Sequence, residues 1–246
     1  MLSCPRLSVS TFVFPYFLTT TNTGPAVQKP LAETLAAELN QPNFVELIQK
    51  FLRKQLYGDA ESLLSDEDTT DPSLPFFNGR VEVHSSALAT FRAPSDISGV
   101  GGMRREHIRA TQSWRNGPPR YDCVFVNTDP AAEGMRGLDV ARVFLFFSIN
   151  FHGTKYPCAL VHWMSRLGNE PDEDTGMWIV QPDVNADGSP TMSVIHLDCI
   201  LRAAHLIGVY GTALLPDNLD FYQSLDAFRS FYVNKFVDYH SFEIAF

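Results

Sequence analysis

The sequence predicts an α+β protein. Its core is mainly antiparallel β, a bent sheet or small barrel, with N-terminal helices and a C-terminal aromatic-rich helix. Three observations lead there. From Arg80 onward, short apolar stretches rich in Val, Phe and Ile alternate with turn signals about every ten residues. Between Asn43 and Gly58, apolar residues recur at helical spacing. After Ser224, aromatic residues crowd the sequence at similar spacing.

Residues 1–29 have no periodicity and many Ser and Thr, and read as a disordered leader. MLSCPRLSVSTFVFPYFL imitates a signal peptide only faintly, because Pro15 breaks the apolar patch and no small-residue cleavage site follows. Residues 30–58 read as a helical segment. One helix is expected from Pro30, suited to a first turn, to about Leu39. A second starts at Asn43, with Glu46 three residues on in a capping-box pattern. It continues through Phe44, Leu47, Ile48, Phe51, Leu52 and Leu56 and stops at Gly58. Residues 59–79 read as an acidic linker. Asp59, Glu61, Asp66, Glu67, Asp68 and Asp71 have no basic residue among them. A solvated spacer and a charge mimic that docks on the arginine-rich loop are both open.

Residues 80–246 read as one β-rich domain. Val81, Val83 and Ala87–Phe91 are extended, and Asp122–Val126 is a short buried strand. Val140–Phe151 turns at His152-Gly153 into Tyr156–Met164, a hairpin signature. Met177–Val180 and Met192–Leu197 are expected to pair around VNADGSP, and Ile200–Tyr210 continues the sheet. Ser224 caps the last helix, through Leu225, Phe228, Tyr232 and Phe236, while Phe231 and Tyr239 fall off its stripe.

The chain has 246 residues, is 45% hydrophobic and 19% charged, and carries a net charge of −9. That balance excludes a protein that coats nucleic acid with its whole surface and leaves only local patches for the purpose. No C-x-x-C pair exists among Cys4, Cys123, Cys158 and Cys199, which disfavours zinc ribbons. The last three sit in or beside apolar runs and are expected to be small buried thiols of a reducing compartment. No stretch approaches the roughly 18 apolar residues of a membrane span, so no membrane partner is expected.

The best candidate site is APSDISGVGGMRREHIR, Ala93–Arg109, followed by SWRNGPPRYD. Gly101 and Gly102 can turn backbone N–H groups toward an anion, and Arg104, Arg105, Arg109 and Arg115 add forked donors. Trp114 can stack on a base or cover apolar surface. The spacing is neither a P-loop nor a dinucleotide fingerprint. Two readings stand: contact with a phosphate backbone, or a long connection pinned by arginine pairs to Asp96, Glu106 and Asp122.

Other clusters read as structural. Asp183, Asn185, Asp187 and Gly188 match half an EF-hand loop, but Val194 occupies the twelfth position, so a polar hairpin turn is expected. Glu170, Asp172, Glu173 and Asp174 crowd one loop. His196 and Asp198 share a strand face near His205 and His162. No catalytic residue, metal site or cofactor is expected from these patterns, and no G-x-S-x-G or H-E-x-x-H occurs.

Seven blocks carry a family resemblance: NQPNFVELIQKFL, APSDISGVGGMRREHIR, PPRYDCVFVNTD, GMRGLDVARVFLFFS, KYPCALVHWM, PDEDTGMWIV and VIHLDCILRAAHLIGVYG. Together they resemble the C-terminal portion of transposases of Plavaka-type elements, CACTA-like DNA transposons of basidiomycete fungi. The similarity spans roughly Leu39 to Phe242. It implies that the RNase H-like DDE core, with its acidic metal ligands, lies upstream of this region, so no catalytic residue carries over. The leader does not match, which suits a truncated copy, a split gene or a stand-alone derivative. The resemblance implies a non-catalytic accessory region in the nucleus. Its expected partners are a transposase catalytic core, another copy of itself, or the DNA backbone. The alternatives are a metal-dependent nuclease fragment using Asp172, Asp174 and Asp198, and a transposon relic with no selected function.

Overall fold

The computed structural model describes residues 17–21, 30–58, 74–94, 101–211 and 217–246. Its centre is a hairpin of two long strands, β7 (Leu138–Phe151) and β8 (Thr154–Arg166), joined at His152 and Gly153. Both turn residues have positive φ, 47° and 80°, as a two-residue hairpin requires. A register shift between Val143 and Leu145 bends the hairpin.

That bend gives each long strand two successive neighbours on its outer edge. Beside β7 lie β6 (Cys123–Asn127), against Leu138–Arg142, and β2 (Val81–His84), against Phe146–Ile149. Beside β8 lie β10 (Met192–His196), against Cys158–His162, and β9 (Ile179–Pro182), against Met164–Arg166. β11 (Ile200–Ala204) continues from β6, and β13 (Phe231–Val233) with β12 (Leu206–Gly208) continues from β9. All these pairings are antiparallel, and the nine-stranded sheet curls into a nearly closed, barrel-like form. A four-stranded sheet, β1 (Phe17–Thr21), β3 (Ser86–Arg92), β4 (Met103–Thr111) and β5 (Arg120–Tyr121), packs on it. The chain passes between sheets at two corners, Ser85 between β2 and β3 and Asp122 between β5 and β6. Backbone bonds Ala110 N to Ser85 O (3.1 Å) and Val143 N to Asp122 O (3.0 Å) close these corners.

The core explains the sequence pattern. β7 is buried on both faces, hence its continuous apolar run. Ala141, Val143 and Phe146 face the four-stranded sheet with Val161, Ile108 and Phe91. Leu145, Phe147 and Ile149 face α1 (Ala32–Glu38) and α2 (Phe44–Tyr57) on the opposite side. Phe44 meets Phe147 edge to face at 5.4 Å between centroids. The helical segment therefore shares one core with the sheet.

Several expectations need correction. Within the segment read as leader, Phe17–Thr21 forms β1 against β3, and Leu18 packs on the core. FLTTT combines apolar and β-branched residues, which suit a strand. Of the expected acidic linker, residues 59–73 lie outside the described residues. Residues 74–79 lead into a bridge between Leu31 and Arg80, with Phe77 buried against Phe151. The Asn43 capping box is not made, because Asn43 has a ψ of 6° rather than extended backbone. Glu46 pairs instead with Lys50 at 2.8 Å. β9 and β10 do not pair with each other, since β8 is long enough to take both. The helix from Ser224 ends after one turn as α3 (Ser224–Ala227). Phe228 turns extended, and the chain enters β13, which buries Phe231 and Val233. The C-terminal aromatics then continue on α4 (Tyr239–Ile244). Cys123 and Cys158 are free and buried, and burial pushes the Cys123 thiol up to about 12. Cys199 departs from the expected free thiol, being disulfide-bonded.

Candidate nucleic-acid interface

The arginines of the Gly-Arg stretch lie on strand β4 (Met103–Thr111), antiparallel to β3. Gly101 and Gly102, at φ 65° and 74°, end the turn between β3 and β4, and Gly102 O accepts from Ala93 N at 2.7 Å. Residues 95–100, including Asp96, lie outside the described residues. From Met103 the chain is a strand, so successive side chains take opposite faces. Ile108 and Ala110 are buried inward. Glu106 and Arg104 share that inner side, opposite Ala89 and Phe91 of β3. Arg105, His107 and Arg109 point outward, opposite Thr90, Leu88 and Ser86. Arg92 of β3 and Arg120 of β5 extend the outward row.

The β4–β5 hairpin gathers one end of this row, Arg109 and Arg120, with Arg115 of its tip around one indole. The Arg109 guanidinium lies 3.9 Å from the Trp114 ring centroid, with Arg115 at 5.3 Å and Arg120 at 5.6 Å. Arg115 and Asn116, at φ 52° and 61°, form the tip, closed by Gly117 N to Trp114 O at 2.9 Å. Ser113 Oγ donates to Gly117 O at 3.1 Å. Burial and the neighbouring charge of Arg120 push Arg109 below the usual guanidinium value, with Asp122 opposing and Arg115 adding. It stays charged at neutral pH. Asp122 is the carboxylate beside this cluster. It takes a fork from Arg120, at 2.8 and 3.2 Å, and the Arg109 amide at 2.9 Å.

The inner face of β4 is occupied differently. Arg202 of β11, 3% exposed, forms a fork with Asp238 at 2.8 and 2.7 Å and also reaches Glu106 at 3.1 Å. Glu106 accepts Ala203 N at 2.6 Å. His240 stacks on Phe91 at 4.6 Å, and Arg202 lies 4.6 Å from that ring. Burial raises the Glu106 carboxyl, with Arg202 opposing. Burial also works to raise Asp238, but the hydrogen bonds from Arg202 and Ser241 N outweigh it, so the net shift is downward. Burial, then the Arg202 charge, lowers His240 to about 4. Arg104 adds its charge to Asp238 and His240.

Of the residues singled out by sequence, the structure thus gathers Arg105, Arg109, Trp114 and Arg115 on one side and sets Arg104 on the other. Of the carboxylates expected to pair with arginine, Glu106 is held by Arg202 and Asp122 by Arg120, and Asp96 lies outside the described residues. Arg92, His107 and Arg120 join the outer row, and alternation along β4 was the signal for His107. The Arg202–Asp238–His240 cluster had no local signal, because its members lie on separate segments.

The remaining clusters make local hydrogen bonds. Asp183–Pro190 is a closed turn, with Asn185 N to Ser189 O at 2.8 Å and Asp187 accepting from Ser189. Asp172 accepts from the amide and hydroxyl of Thr175. His162 Nε2 bonds Asp183 O at 2.7 Å, His196 Nδ1 accepts Asp198 N at 3.2 Å, and His205 meets Asn234 at 3.1 Å. Among the described residues, no group of three His, Cys, Asp or Glu side chains is arranged to hold a metal ion. No helix among them is long and apolar enough to cross a membrane. No family model, curated protein or solved structure matches this chain.

Proposed function

We propose that this chain is a non-catalytic interaction module that holds the phosphate backbone of nucleic acid on the outer face of its four-stranded sheet. One observation carries the reading. Arg109, Arg115 and Arg120 converge around Trp114, and Arg105 and Arg92 continue the row along the same outer face of the sheet, while the chain as a whole is acidic. Arginine forks suit phosphate oxygens, and a row of them along a sheet face, with half-buried Trp114 beneath the guanidinium of Arg109, suits an extended strand. The resemblance to Plavaka-type transposases supports the same reading, with a nuclear setting and a catalytic core supplied by another segment. Exposed Phe236, Val237, Tyr239 and Phe242 form an apolar surface for contact with that core or with another copy.

The test is binding of a labelled DNA fragment across a salt series. Log affinity should fall linearly with log salt, and Arg105→Ala/Arg120→Ala should reduce the slope by about 1–2. Arg104→Ala, on the inner face, should leave the slope unchanged. No affinity at low salt would overturn the nucleic-acid reading. Sedimentation of the same protein without DNA reads the self-association half.

A further inference from the structure

A cavity of about 330 Å³ opens at the edge of the four-stranded sheet, on the hairpin that carries Trp114. Tyr121 and Phe144 line it, their rings stacked at 4.9 Å and 29°. Tyr121 follows Arg120 in β5, so the two side chains leave the strand on opposite faces. The phosphate face and the cavity thus adjoin through one strand. Gln112 and Pro119, which flank the hairpin, line the cavity with Gln41 and Glu38 from the helical segment.

The lining chemistry narrows the occupant. No cationic side chain lines the cavity, and Glu38 repels a phosphate. Tyr121 and Phe144, stacked on each other with the Arg142 guanidinium 5.8 and 5.4 Å from their centroids, present aromatic surface to the cavity. Two amides and a carboxylate offer donors and acceptors that match the edge of a heterocyclic base. The volume is at the small end of ligand pockets, which suits one flat ring system. In a duplex, base edges and faces are committed to pairing and stacking, so only an unstacked base can enter.

We infer that the cavity takes an unpaired base from a single strand whose backbone lies on the arginine face. This makes the ligand class single-stranded nucleic acid, and it rests on the phosphate reading above. Stacking is tolerant of base identity, so the preference is for single-strandedness rather than for sequence.

The experiment compares four short fluorescein-labelled ligands on the full chain across a salt series. They are a single DNA strand, its RNA equivalent, the DNA duplex, and an abasic strand with the same phosphates. The base-bearing single strands should bind about tenfold or more tighter than the abasic one. Phe144→Leu and, separately, the surface substitution Gln112→Ala should shrink that gap. The RNA and DNA arms show which sugar is accepted. Equal affinity for abasic and base-bearing strands, both steeply salt-dependent, would overturn the base pocket and leave the phosphate face standing. So would a duplex binding tighter than the single strand. No binding of any ligand at low salt would overturn both.

Discussion

At the scale of single residues, His240 is the clearest case of environment setting chemistry. It is 4% exposed, stacked on Phe91, and its Nδ1 lies 3.3 Å from the Arg202 guanidinium. Burial and that charge hold its imidazole at about 4, against 6.5 for an ordinary histidine. The unfolded chain therefore binds a proton near pH 6.5 that folded His240 refuses until about pH 4. Stability attributable to this group is complete above pH 6.5 and falls as pH drops through that window. His84 and His196 are also lowered, first by burial, and act with the same sign. Glu106, raised by burial, acts oppositely at the acid end. Urea unfolding at pH 7 and pH 5 should show a loss of stability. His240→Gln should remove about 1–2 kcal/mol of that difference. An unchanged difference would mean that His240 is not the group responsible. Nothing in SFYVNKFVDYHSFEIAF marks His240 as buried against an arginine, because the arginine comes from β11. The arginine cluster around Trp114 was legible, because its members sit within one stretch of chain.

Elements were legible where local pattern and tertiary demand agreed. The β7–β8 hairpin is readable from two apolar runs around His152-Gly153, and α2 from its apolar spacing. The helix expected from Ser224 stops after one turn, because the aromatics that follow fit a strand and β9 offers an edge for β13 to pair with. Packing also needs a close approach there: a Cβ on Gly208 of β12 would lie 2.5 Å from the Phe228 ring. The β4–β5 hairpin is the element on which the proposed phosphate contact and backbone strain meet. Its tip places Arg115, a residue with a Cβ, at φ 52°. Left-handed backbone of this kind costs a non-glycine residue about 1 kcal/mol or more. Arg115→Gly should therefore raise unfolding stability by up to about 1 kcal/mol, offset in part by glycine's greater chain entropy. The same change removes a guanidinium from the Trp114 cluster, so the salt slope of nucleic-acid binding should fall by about one contact. Thermal unfolding and the salt series together read both effects. A destabilised variant would mean that the Arg115–Trp114 contact outweighs the backbone strain.

Across the whole molecule, charge is partitioned by the sheet. The chain is net acidic, yet β4 carries Arg105 and Arg109 outward, with Arg104 and the carboxylate of Glu106 inward. The inward carboxylate, Glu106, meets Arg202 and, through it, Asp238, so β4, β11 and the segment before α4 are joined at one buried guanidinium. Asp238 also caps α4 through Ser241 N at 2.8 Å. A buried ion cluster is weak evidence of net stability, since removing charges from water offsets much of their attraction. Removing one partner is another matter, because the carboxylates then lose their counter-charge inside the fold. Arg202→Met should destabilise the protein by about 3–5 kcal/mol, leaving Glu106 and Asp238 without their shared cation. Adding Glu106→Gln and Asp238→Asn to Arg202→Met should recover a large part of that loss. The Asn keeps an oxygen for the Ser241 amide, and both amides match the volumes they replace. Urea midpoints of the single and triple variants decide the matter. If the triple variant is as unstable as Arg202→Met alone, the cost lies in lost packing of Arg202 over Phe91 rather than in unpaired charge. If it recovers, the cluster acts chiefly to fix how the C-terminal segment seats on the inner side of β4, the strand that carries the arginine row.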